Sequence, residues 1–235
     1  MSRPFVLYGR NPIREALRAA RRPVHRVWAT RGAAAEPWLR DVAVVQARPE
    51  EIAERAGTEA HQGLCAEVGE YPYASADDLL ARPDPLIVVL DELQDPQNLG
   101  AICRTAECVG ADGVVIPERR SAHVTPAVCK ASAGAVEYLA IARVRNIADF
   151  LTQAKEAGAW CYGASADSGV SYLQPDYRGG CALVIGAEGR GLRPRVAAAC
   201  DELVALPLRG HVQSLNASAA ASALLYGILQ RRRAA

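Results

Sequence analysis

LIVVLDELQDPQNLGAICRTAECVGADGVVIP, residues 86–117, sets two unbroken apolar runs on either side of a helical stretch. The runs at 86–90 and 113–117 are too short for buried helices and lack polar alternation, so each reads as a strand covered on both faces. Between them, GAICRTAECVGA (100–111) repeats its apolar side chains at helical spacing. Strand, helix and strand in this order make a parallel crossover unit. The same texture continues downstream: helical VTPAVCKASAGAVEYL (124–139), IARV (141–144), helical NIADFLTQAKEAG (146–158), AWCYGAS (159–165), CALVIG (181–186), ELVALPL (202–208) and helical SLNASAAASALLYGILQRR (214–232). Residues 86–235 are thus predicted to form a doubly wound α/β domain on a parallel sheet.

Upstream the pattern is smaller. HRVWAT (25–30), VAVV (42–45) and LCAEV (64–68) read as strands and PEEIAERAG (49–57) as a helix, an α/β unit over residues 1–70. Residues 71–85 hold prolines around ASADDLLAR and are predicted to be a linker, because Pro83 and Pro85 cannot continue a helix. Asn11 and Pro12 signal a helix start, with Ile13, Ala16 and Leu17 on one face and Arg14, Arg18 and Arg21 more outward. Residues 1–31 carry eight arginines (Arg3, Arg10, Arg14, Arg18, Arg21, Arg22, Arg26, Arg31) against the single acid Glu15. Such a helix is either an ordinary solvated face or a phosphate-binding one.

Composition narrows the class. Half of the 235 residues are apolar and 27 basic side chains face 26 acidic ones, as in an ordinary soluble globular protein large enough to fold without staples. The seven cysteines include no C-x-x-C, which fits reduced thiols in a cytoplasm. No apolar run approaches membrane-spanning length and no cleavable leader is evident, so neither export nor membrane insertion is expected. His25, His61, His123 and His211 show no ligand spacing with each other or with the thiols, and no metal is expected.

In doubly wound sheets ligands bind beyond the carboxyl ends of the strands. Three segments fall there. In the first, Asn98 and Gly100 open the helix after the first strand and Arg104 follows. Asn98 is either a cap or an anion-facing group, and Arg104 a surface side chain or a forked phosphate donor. In the second, LVIGAEGRGLRP (183–194), Gly186, Gly189 and Gly191 surround Glu188. Neither the dinucleotide fingerprint nor the Walker pattern is present, which leaves an ordinary turn or a close backbone approach to another ligand. In the third, ALPLRGHVQSLNASAAASALLYGIL (205–229), Ser214 is a candidate helix cap. It lacks a nucleophile elbow, and His211 has no evident carboxylate to orient it, so hydrolase chemistry is disfavoured.

Taken together, NLGAICRTA (98–106), IGAEGRGL (185–192) and LPLRGHVQSLNASAA (206–220) closely resemble the three motifs of the SpoU/TrmH branch of the SPOUT RNA methyltransferases. KASAGAVEYLAIARVRNI (130–147), GRNPIREAL (9–17) and HQGLCAEV (61–68) are similar to the family as well, so the resemblance spans nearly the whole chain. It is nearest to the bacterial 23S rRNA guanosine 2′-O-methyltransferase subgroup. The resemblance implies an L30e-like RNA-binding domain before a parallel-sheet domain with a deep trefoil knot, a homodimer, and S-adenosylmethionine as cofactor. It implies cofactor contacts from Gly186, Leu206 and Leu215 with their neighbours Ala187, Gly189, Pro207, Leu208 and Asn216. It assigns the active site to Arg104, Asn98, Glu188, Ser214 and Asn216 and gives the basic helix an RNA partner, so that Arg10, Arg14, Arg18, Arg21 and Arg22, with Arg104, are expected to contact RNA.

An arginine is an awkward base, since its pKa exceeds about 12. Arg104 is therefore expected to position the target phosphate and ease deprotonation of a ribose 2′-hydroxyl. Three other readings stay open. One is a tRNA or resistance-type rRNA 2′-O-methyltransferase, and another a non-catalytic ribosome assembly factor that binds rRNA. The third, a nicotinamide-dependent oxidoreductase, lacks its fingerprint.

Overall fold

A computed structural model describes residues 4–234, so Arg3 of the basic segment lies outside the described residues. The N-terminal unit has strands β1 (Phe5–Tyr8), β2 (Val24–Ala29), β3 (Val44–Gln46) and β4 (Leu64–Val68), with helices α1 (Arg10–Ala19) and α2 (Pro49–Ala56). The strands lie in the order β1-β4-β2-β3, and only β2 and β3 run parallel. β1 was not foreseen. α1 starts one residue before Asn11, at Arg10, and its N-cap is Gly9, whose φ of 90° needs no side-chain cap to turn the chain.

The C-terminal unit contains α3 (Ala76–Leu80), β5 (Leu86–Leu90), α4 (Pro96–Cys108), β6 (Gly113–Pro117), α5 (Pro126–Ala131), β7 (Ile141–Val144) and α6 (Ile147–Glu156). It continues through β8 (Trp160–Ala164), β9 (Cys181–Ile185), α7 (Pro194–Ala199), β10 (Glu202–Val204) and α8 (Ala217–Ala234). Its six strands are all parallel, in the order β10-β8-β9-β5-β6-β7. β5, β6 and β9 are buried along their whole length, the reason their sequences are apolar without alternation. Leu86, Val88 and Leu90 face the core shared with α4 and α8, whereas Ile87 and Val89 face the one shared with α6 and Val196 of α7.

Three expected elements differ. The helix predicted over 124–139 stops at Ala131, and Gly134, with φ of 92°, turns the chain into a short 3-10 segment, Ala135–Glu137. A Cβ there would lie 2.7 Å from Cβ of Glu15, so the glycine also permits close approach of α1. The ELVALPL strand keeps ladder pairing only over β10, at the sheet edge. The linker predicted over 71–85 is held to the C-terminal unit instead. Tyr71 is buried and its hydroxyl lies 2.9 and 2.8 Å from the carbonyls of Val136 and Leu139. Ser75 caps α3, and Leu79 is fully buried. Leu79 and Leu80 supply the apolar side that keeps this helix on the sheet despite the flanking prolines.

The two units meet across an ion pair that corrects the expectation for Arg22. Its guanidinium and the Glu137 carboxylate bond to each other with side chains only 1% exposed. Arg22 also donates to the carbonyl of Gly69 at 3.2 Å and lies 4.6 Å from the Phe5 ring centroid. The neighbouring carboxylate outweighs burial and raises its pKa. A side chain so enclosed offers nothing to RNA. Arg21 donates to the carbonyl of Leu139 at 2.7 Å, again across the seam. Leaving either partner of a buried pair alone costs roughly 3–5 kcal/mol. Arg22→Met is therefore expected to lower unfolding stability by about that amount, measured by urea titration, and Arg18→Met, on the exposed side of α1, by less than about 0.5 kcal/mol.

Candidate active site

The carboxyl ends of β5 and β9 are neighbours, and the polar chain that leaves them forms one cluster. After β5, Asp95 caps α4 by accepting from the Gln97 amide at 2.9 Å. Asn98 is thus the third residue of the helix, within its first turn, not its cap, and its buried amide is free for other partners. It donates to Oε1 of Glu188 in the loop after β9. Nδ2 of Asn216 lies 2.9 Å from the same oxygen and 3.0 Å from Oδ1 of Asn98.

The orientation of Asn216 follows from its second task. Its Oδ1 accepts from the Ser218 amide at 2.9 Å and the Ala219 amide at 3.3 Å, which makes Asn216 the cap of α8. The cap occupies the oxygen and aims the NH₂ at Glu188. Ser214, the cap candidate from sequence, instead lies exposed in the preceding loop. Glu188 therefore sits at the positive end of an 18-residue helix, with one carboxylate oxygen taking two amide donors.

A cavity of about 470 Å³ opens against this cluster. Gly186, Ala187, Glu188, Gly189, Leu206, Leu208, Ser214 and Leu215 line it, together with Leu192 and Leu203. A Cβ at position 186 would overlap the backbone of Gly191, because the chain doubles back in a tight bridge between Ala187 and Gly191. Pro207 and Asn216 are outside the lining; Asn216 acts on the cavity through Glu188. Arg104 is outside it as well. It lies six residues beyond Asn98, roughly 9 Å along the helix and about 120° around it, and its side chain is exposed.

One contact escaped sequence reasoning. Asp91, fully buried at the end of β5, accepts from the Arg193 amide at 2.9 Å and its Nε at 2.8 Å, while Arg193 also reaches Glu92 at 3.2 Å. The carboxylates raise the Arg193 pKa, and the clamp fixes the loop that carries Glu188. Both residues lie inside quoted segments, but nothing in a single chain signals their pairing. Among the described residues no group of three or more His, Cys, Asp or Glu could hold a metal, and no helix is long and apolar enough to cross a membrane.

The expected RNA-contacting arginines of α1 are mostly engaged by acids of their own unit. Arg10 bonds Glu36 at 2.8 Å, and Arg14 and Arg18 lie 2.6 and 3.7 Å from Glu15. Unpaired guanidiniums lie elsewhere. Arg119 and Arg120 after β6, and Arg145 after β7, are exposed and make no ion pair or hydrogen bond among the described residues.

A parallel sheet with a glycine-walled cavity and a polar cluster beyond its carboxyl ends defines a cofactor-binding α/β enzyme. Residues 85–226 match the SpoU rRNA Methylase family and residues 6–74 the RNA 2′-O ribose methyltransferase substrate-binding family, so the chain belongs to the SpoU family of RNA 2′-O-ribose methyltransferases. It is 44% identical over 193 residues to YacO, a TrmH family tRNA/rRNA methyltransferase of Bacillus subtilis (strain 168), covering 80% of this chain and 78% of that one. A TrmH family tRNA/rRNA methyltransferase of Staphylococcus haemolyticus (strain JCSC1435) is 36% identical over 241 residues, covering 97% and 96%. Among solved structures, the SpoU methyltransferase AviRb from Streptomyces viridochromogenes in complex with AdoMet superposes with a TM-score of 0.83 at 27% identity, covering 98% of this chain and 91% of that one. The family uses S-adenosylmethionine.

Replacing Gly186 by Ala would force apart the turn at Gly191, an overpacking worth roughly 1–3 kcal/mol. Gly186→Ala is expected to weaken S-adenosylhomocysteine binding at least about tenfold by calorimetry, while Gly32→Ala, with open space around it, leaves it unchanged.

Proposed function

We propose that the protein methylates the ribose 2′-hydroxyl of a guanosine in 23S rRNA, with S-adenosylmethionine held in the cavity between Gly186, Leu206 and Leu215. The carrying observation is the meeting of three distant motif segments, through Asn98, Glu188 and Asn216, at the rim of one cavity. The cavity chemistry fits the cofactor. Leucines 192, 203, 206, 208 and 215 offer apolar cover for an adenine and a thioether stem, and the glycine backbone brings amides and carbonyls close. S-adenosylmethionine supplies an electrophilic methyl group when bound.

The remaining work falls to the chain. Glu188, locked by two side-chain amides, and Ser214 at the cavity wall orient the ribose so that its 2′-oxygen is in line with the methyl. Arg104 binds the phosphate of the target nucleotide by its fork, and that phosphate takes the hydroxyl proton. Arg104 is exposed and does not line its own cavity, and in this reading the site is completed in a homodimer by Arg104 of the partner subunit. Exposed Leu215, Val212 and Tyr226 beside the cavity and on α8 supply the apolar contact. The segment 205–216 is threaded as a trefoil knot. The ends of this segment's surroundings are tied down: Ala205 bonds Val170 and Tyr172, and Arg232 at the end of α8 donates to the carbonyl of Tyr177 at 2.9 Å.

Methyl-labelled S-adenosylmethionine incubated with separate unmodified 23S rRNA, 16S rRNA and tRNA, followed by alkaline hydrolysis, tests the reading. Label in alkali-stable dinucleotides from 23S rRNA is expected, because a 2′-O-methyl group blocks attack by the neighbouring hydroxyl. Label in mononucleotides would mean base methylation, and label in tRNA alone would reassign the substrate. Arg104→Lys keeps the charge but loses the fork, and turnover is expected to fall roughly 100-fold. Mixing inactive Arg104→Ala and Glu188→Ala proteins is expected to restore part of the activity, since a mixed dimer retains one complete site.

A further inference from the structure

A second cavity, of about 640 Å³, lies in the seam between the two units, and the mechanism above does not use it. Glu67, Glu70 and His25 of the N-terminal unit line one side, and Tyr73 and Arg143 the other. The Arg143 guanidinium lies 4.2 Å from the Tyr73 ring centroid. Tyr73 is braced beneath it, with its hydroxyl accepting from the Val124 amide at 3.0 Å and its ring edge-on to Tyr71 at 5.1 Å. Arg143 is exposed and makes no hydrogen bond or ion pair among the described residues, so its outer face is a planar cationic platform. Glu67, Glu70 and His25 likewise have no side-chain partner among the described residues. The seam around them is stiffened by the Arg22–Glu137 pair and by Tyr71.

We propose that this cleft takes one unstacked guanine base of the RNA substrate, a few nucleotides from the methylated ribose. The proposal rests on the reading that RNA is the substrate. An arginine plane backed by an aromatic ring is a stacking surface for a base, as in single-stranded RNA recognition. The carboxylates select the occupant. They repel a phosphate and accept hydrogen bonds, which suits the N1–H and N2–H₂ donors that guanine presents together and adenine does not. Position agrees with this role. β7, which carries Arg143, is three strands from β9, whose following loop lines the cofactor cavity, about 15 Å along the same carboxyl edge. The loop after β6 bridges the two places: its Ala122 amide donates to the carbonyl of Leu93 after β5 at 2.7 Å, and its Val124 meets Tyr73. Arg119 and Arg120 on that loop offer unpaired charge to the phosphates between the two sites.

Two measurements test the site. Ultraviolet cross-linking of the whole protein to unmodified 23S rRNA, followed by nuclease trimming and mass spectrometry, is expected to leave a guanosine adduct on a residue that lines the seam cavity, such as His25, Tyr73 or Arg143. An adenosine or uridine adduct there, or no adduct in the seam, overturns the proposal. In steady-state methylation, Arg143→Ala and the double variant Glu67→Gln/Glu70→Gln are each expected to raise the KM for RNA about tenfold, with kcat and S-adenosylhomocysteine affinity unchanged. Wild-type KM in both variants sinks the seam site while leaving the methyltransferase reading intact. A wild-type protein that methylates no RNA sinks that reading, and the cross-link then decides the seam site alone.

Discussion

A single carboxylate holds three remote pieces of chain together. Glu188 accepts from Asn98, in the first turn of α4, and from Asn216, the cap of α8, so the loop after β9 and the starts of two helices share one point. Each contact depends on another. Asn216 can offer its NH₂ only because its oxygen is committed to the α8 amides, and Asn98 is available because Asp95 has taken over the capping of α4. The buried sheet leaves no alternative location for such a cluster. Strands covered on both faces cannot carry unpaired polar side chains, so polarity collects where the strands end. The glycine-walled cavity and its polar rim are therefore consequences of how the sheet is buried.

The seam between the units is built on a different principle. A buried ion pair contributes little net stability compared with an apolar contact, yet it is intolerant of misplacement, because each partner is costly without the other. Arg22 and Glu137 thus fix one relative placement of the units, and Tyr71, Arg21 and the close approach at Gly134 reinforce it. An enzyme that must present a ribose at one cavity while holding the surrounding RNA elsewhere gains from such rigidity, since small misplacements of a reacting group are expensive in rate.

The core of the fold is legible because parallel-sheet strands announce themselves: 86–90 and 113–117 are read to the residue from unbroken apolar runs, and 141–144, which includes Arg143, from the alternation of short strands with helical stretches. What failed was whatever depended on tertiary partners. α3 hides between prolines and exists because Leu79 finds the sheet. The helix over 124–139 satisfies local periodicity but is broken by a positive φ at Gly134 that α1 requires. Of the residues expected at a cofactor, Gly186, Ala187, Gly189, Leu206, Leu208 and Leu215 line one cavity and Pro207 and Asn216 lie outside its lining. Neither the Asp91–Arg193 clamp nor the division of labour between Asn98 and Asp95 leaves a trace in spacing.

The arginines show why charge read along a chain misleads. With 25 arginines and 2 lysines the composition carries no message about nucleic acid, and the dense N-terminal run invites one. In three dimensions part of that run is already paired, Arg10 with Glu36, Arg14 and Arg18 sharing Glu15, and Arg22 with Glu137, while Arg21 bonds seam carbonyls and Arg26 and Arg31 make no ion pair among the described residues. Attraction for a polyanion comes from positive charge that no carboxylate has already neutralised. By that criterion unneutralised charge also collects along the carboxyl edge of the sheet, where Arg119, Arg120, Arg143 and Arg145 make no ion pair among the described residues. The same edge carries the glycine-walled cavity, so the exposed positive charge and the cavity arise from one feature of a parallel sheet: all its strands end on the same side.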